Sequence, residues 1–126
     1  MVMLLSRASC HFGTITPALL HILATVEEYA RFHDLTVVAL SGTDGAHPQY
    51  SGHDRGEAVD LKVAGLSDAA ARQFLTIILA RLGPSFYGEI QHKGTAAQQF
   101  HLQLRRGVVY HAPPVPEYVN RFNHRG

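Results

Sequence analysis

Between Val59 and Val63 the chain reads Val-Asp-Leu-Lys-Val, and that strict alternation specifies a half-buried β-strand. Val59, Leu61 and Val63 share its dry face, and Asp60 and Lys62 share the other. The approach to the strand, Ser51-Gly-His53-Asp-Arg-Gly56-Glu-Ala58, is too rich in Gly and polar residues to be regular. His53 is therefore expected to fold back over the strand beside Asp60. An imidazole and a carboxylate, seven positions apart in sequence, then make two thirds of a catalytic zinc site, which keeps three protein ligands and leaves a fourth position for water.

A third ligand stands in Gln99-Phe100-His101-Leu102-Gln103-Leu104, where the period is again two. Phe100, Leu102 and Leu104 point one way, and Gln99, His101 and Gln103 the other. His101 meets His53 and Asp60 if the two strands are neighbours.

The pattern S-x-H-x-x-G-x-A-x-D, followed some forty residues later by a strand that carries a histidine, resembles the zinc D-Ala-D-Ala carboxypeptidase and hedgehog superfamily. It looks most like small phage and bacterial cell-wall peptidases with a Ser-Gly-Thr-Asp-Gly lead-in, which stands here as Ser41-Gly42-Thr43-Asp44-Gly45. The resemblance covers roughly residues 14 to 105 and rests on a ten-residue motif, more specific than a lone short pattern. It implies that His53, Asp60 and His101 are the zinc ligands. It implies too that His47, six positions before the first ligand, stabilises the oxyanion of the transition state. Relatives carry a glutamate close before the last ligand, but here those registers hold Gln91 and Gln98, and neither takes a proton from water. Glu89 is the nearest carboxylate, on the same face as Gln91 and about 7 Å from it along the strand. It is the candidate base, brought into place by a slip of two that the Lys93–Ala97 connection would absorb.

The implied fold is α+β, a small antiparallel sheet packed on one side by two helices, and the chain supplies those elements in order. Thr16 and Pro17 suit the N-cap and first position of a helix. Leu19, Leu20, Leu23, Val26 and Ala30 then recur at helical spacing, with an end near His33. Leu35 to Leu40 reads as a strand. Ser67 caps a second helix with Asp68 in its first turn, Ala70, Phe74, Ile77, Ile78 and Leu82 form its stripe, and Gly83-Pro84 stops it. Strands are expected next over residues 85–91 and 98–105. Gly56 and Ala58 read as positions where a larger side chain would crowd the site. His92 alternates away from Glu89 and Gln91, so His101 is preferred as ligand. Residues 1–126 read as one domain with a core over about 14–111, and the prolines of Ala112–Pro116 leave 112–126 as an extended tail.

A formal charge of +1, with no basic stripe carrying interleaved aromatics, argues against a nucleic-acid module. No apolar run reaches the length of a membrane span. The opening Met1–Cys10 lacks a charged start and places Arg7 three positions before the cysteine, unlike a lipoprotein signal. The lone Cys10 excludes an internal disulfide. The expected protein is a zinc peptidase of bacterial cell-wall (peptidoglycan) stem peptides, cytoplasmic as synthesised and acting after lysis or delivery. The alternative is a zinc-stabilised cell-wall-binding module of a phage tail or injection device, and a weaker third is a metal-free structural protein.

Overall fold

Alternation in the strands and a 3.6-residue period in the helices leave each element with one apolar side, and those sides meet in a single layer. The computed structural model describes residues 4–6, 15–41 and 56–111. His47, His53 and residues 112–126 lie outside the described residues, as do Asp44 and Ser51. The order is β1 (Leu4–Ser6), α1 (Pro17–Phe32), β2 (Val37–Ser41), β3 (Ala58–Val63), α2 (Asp68–Leu82), β4 (Phe86–Gln91) and β5 (Gln99–Leu104). The strands form one sheet in the order β1-β2-β3-β5-β4. The pairs β2–β3, β3–β5 and β5–β4 are antiparallel, and the short β1 joins the edge in parallel with β2. Only β1 departs from the expected antiparallel sheet, and three residues are too few to show a period in sequence.

Thr16 begins α1 as its residue type predicts: its hydroxyl accepts from Leu19 N at 3.2 Å, and Pro17 takes the first helical position. The same hydroxyl donates to Gly56 O at 2.8 Å, which ties the helix start to the residue just ahead of β3. Gly56 has φ +68°, so glycine is required there by backbone conformation. The buried face of α1 is Leu19, Ile22, Val26, Tyr29 and Ala30. Leu20, expected inside, is 55% exposed, because it lies one step off that stripe.

Ser67 caps α2 by accepting from Ala70 N at 3.1 Å. The helix buries Ala71, Phe74, Ile78 and Leu82, one residue out of phase with the expected stripe at its start. Phe74 packs on Phe100 of β5 at 4.7 Å and on Tyr29 of α1 at 5.3 Å between ring centroids, so one side chain joins three elements. Burying a ring of that size stabilises the fold by roughly 1.5–3 kcal/mol.

The helices and the sheet face made by Val37, Ala39, Val59, Leu61, Phe86, Phe100, Leu102 and Leu104 share one core. At Gly88 a Cβ would lie 2.7 Å from Leu102 Cδ2 and 2.9 Å from Leu75 Cδ1, which shows how closely α2 approaches β4. Tyr110, beyond β5, packs against His21 and Phe86 at 5.7 and 5.9 Å and so holds the chain to the helical layer after the last strand. Among the described residues no helix is long and apolar enough to cross a membrane.

Candidate metal and catalytic site

On the face away from the helices, three polar side chains stand in one row across three strands. Asp60 pairs in register with His101, and His101 with Glu89. The first link is short: His101 Nδ1 lies 2.8 Å from Asp60 Oδ1. His101 and Asp60 are both buried, at 6% and 8% exposure, although the alternation places them on the polar side of the sheet. Withdrawal from water strengthens their mutual attraction.

The other ring nitrogen of His101 is also engaged, with Nε2 at 2.6 Å from Gln103 Oε1. Both partners are acceptors, so a ring that satisfies both carries two protons. Burial alone would depress the His101 pKa. The bonds to Asp60 and Gln103, with the charges of Asp60 and Glu89, more than offset it and hold the pKa above the ordinary histidine value.

Glu89 is gripped at both oxygens. Gln91 Nε2 donates to Oε1 at 2.9 Å and Tyr87 Oη donates to Oε2 at 2.8 Å. These two bonds, Gln91's first, pull the carboxyl pKa below its usual value against the opposing effects of burial and Asp60. The bond from Tyr87 in turn raises that residue's hydroxyl pKa. Gln99 Nε2 donates to Gln91 Oε1 at 2.6 Å, so the amides form a chain that ends on the carboxylate.

The β4–β5 register fixes the position of Glu89 relative to His101. Glu89 is directly opposite His101, Gln91 is opposite Gln99, and no slip of two is needed. The connection expected to absorb a slip is instead closed on itself. Thr95 donates to His92 O through both N and Oγ1, at 3.2 and 2.7 Å, and Gly94 N donates to Gln98 Oε1 at 2.9 Å. His92 itself is exposed, at φ +54°, outside the row. Lys62 Nζ donates to Ala96 O at 2.8 Å and pins the turn to β3. Beside that clamp a recess of about 470 Å³ is lined by Lys62, Leu66, Asp68, Thr95 and Gln98, among others.

At the opposite edge of β3 the ladder slips by one residue between Ala39 and Ser41, so that Ser41 pairs with Asp60. The segment leaving β2 is 42–55, which carries His47 and His53.

An anionic oxygen and an imidazole nitrogen 2.8 Å apart form a donor pair that suits zinc, which binds each at about 2.0–2.2 Å. Among the described residues no group of three His, Cys, Asp or Glu side chains converges as a metal site. The set therefore consists of Asp60 and His101, with His53 outside the described residues. Sequence reasoning did not single out Tyr87 or Gln103, and it read Gln91 only as a lost base. Their signal was spacing: each lies two residues from Glu89 or His101, on the same face of its strand.

No protein-family model, no curated protein and no solved structure matches the chain.

Proposed function

We propose that the chain is a zinc-dependent peptidase that hydrolyses stem peptides of the bacterial cell wall, reaching them after lysis or by delivery. The observation that carries this reading is the row Asp60–His101–Glu89, in which a buried carboxylate–imidazole pair faces a second carboxylate on the next strand. The ten-residue motif that contains His53 and Asp60, with its resemblance to the D-Ala-D-Ala carboxypeptidase and hedgehog superfamily, supplies the third ligand and the substrate class.

Zinc held by His53, Asp60 and His101 would supply a Lewis acid that polarises the scissile carbonyl and acidifies the attacking water. Glu89, whose two oxygens are held by Tyr87 and Gln91, would be the residue to take up a proton from the attacking water and return it to the leaving amine. His47 takes the part of oxyanion donor by resemblance.

A second reading has its own observation. Two donors on Glu89 lower its basicity, which suits a carboxylate that fixes a ligand better than one that takes a proton. On that reading the domain is a zinc-stabilised module that grips wall peptide without cutting it.

Elemental analysis of the purified protein, then incubation with purified sacculi, separates these possibilities. Stoichiometric zinc, lost in Asp60→Ala, together with release of new amines supports the peptidase. Zinc with co-sedimentation and no release supports the module. Zinc retained in full by Asp60→Ala overturns both.

A further inference from the structure

His101 has two nitrogens, and a metal can take only one. The side chain that decides between them is not a ligand. Nδ1 faces Asp60 at 2.8 Å, while Nε2 faces Gln103 Oε1 at 2.6 Å. Gln103 lies two residues along β5 from His101 and so projects from the same face of the strand. Its carbonyl oxygen is turned toward the ring, and its Nε2 lies 3.5 Å from Leu104 O.

We propose that Gln103 is the positioning residue of the metal centre: its carbonyl oxygen keeps a proton on His101 Nε2, so that the ring presents Nδ1 to the ion beside Asp60. This rests on the zinc reading above and adds to it the coordinating atom and the group that selects it. A ligand imidazole whose distal N–H is held by an acceptor is fixed in tautomer and in rotation. Nε2 is turned toward Gln103 and away from Asp60, so a ring bound through Nε2 would first have to break the Gln103 bond and rotate.

Gln103 touches no metal in this scheme, so the test needs readouts other than turnover. Zinc affinity is measured by competition with a chromophoric chelator for wild type, Gln103→Leu and Gln103→Glu. The leucine removes the acceptor at similar volume, and the glutamate restores one. The expected result is a Kd weakened by about 10–100-fold in Gln103→Leu and regained in Gln103→Glu. Nitrogen-15 NMR of zinc-loaded wild type, which needs no variant, should show His101 metallated at Nδ1 and protonated at Nε2. Metal on Nε2, or an unchanged Kd in Gln103→Leu, overturns the proposal while leaving the zinc site intact. A wild type that binds no zinc fails the earlier reading instead.

Discussion

Glu89 carries the sharpest residue-level prediction, because its environment is defined at both oxygens. Glu89→Gln keeps the size of the side chain and removes the negative charge. It should retain zinc and the fold, and lose turnover on wall peptide by about 10²–10⁴-fold, the usual range for removing a positioned acid–base group. Steady-state release of amines from sacculi, with zinc content measured on the same sample, checks it; unchanged turnover removes Glu89 from the scheme. That Glu89 would be present was legible in the sequence, and so was its face, because alternation over Tyr87-Gly88-Glu89 allows only one. Its distance from His101 was not. Two strands joined by a seven-residue connection, 92–98, can pair in several registers, and the one adopted depends on hydrogen bonds inside that connection, such as Gly94 N to Gln98 Oε1, that no pattern announces. The Asp60–His101 pair was legible for the opposite reason, since each residue stands alone as the polar position between two apolar ones.

At the scale of elements, the sheet keeps its row of polar side chains on one face because the other is filled by the helices, and Phe74 is the ring on which that division hangs. It is fully buried, with Tyr29 and Phe100 as ring partners on either side. Phe74→Ala leaves a cavity between both helices and β5 and should cost about 3–5 kcal/mol, while Phe74→Leu should cost distinctly less. A smaller effect of opposite geometry belongs to Gly88. A methyl there meets three leucine side chains, of Leu102, Leu75 and Leu79, at 2.7, 2.9 and 3.2 Å, and Leu102 has no solvent into which to move. Gly88→Ala should destabilise by about 1–3 kcal/mol through overpacking. Urea denaturation of the three variants, with chelator present so that metal does not mask the differences, measures these costs; an alanine at 88 as stable as wild type would show that α2 yields at no cost. The helices were legible from caps and period, Thr16 and Ser67 most directly. Their buried faces were read one residue out at Leu20 and Ala70, because several adjacent apolar residues satisfy a helical period in more than one phase.

For the molecule as a whole, the row Asp60–His101–Glu89 links stability to pH with a sign that metal should reverse. Without metal, the His101 pKa is raised in the fold above its ordinary value of 6.5, so its contribution is fully present below that value and is lost as pH rises through the folded pKa. Glu89 acts in the opposite sense, its contribution being present above 4.5 and lost as pH falls through its lowered folded pKa, so it weighs only at the acid end. On the proposed zinc reading the ion would replace the Nδ1 proton of His101, so zinc-linked stability should grow over the same interval in which the metal-free protein loses the His101 contribution. The gap in Tm between zinc-loaded and chelator-treated protein should therefore widen from about pH 6 to pH 8, where histidines change charge. With free zinc at about one hundred times Kd, the gain corresponds to about 2.7 kcal/mol. Thermal melts across that range, with and without chelator, give both curves, and His101→Gln should flatten each of them. Parallel curves for the two forms of wild type would mean that metal and proton do not compete for His101, and the row would then be a structural ion pair and not the floor of a metal site.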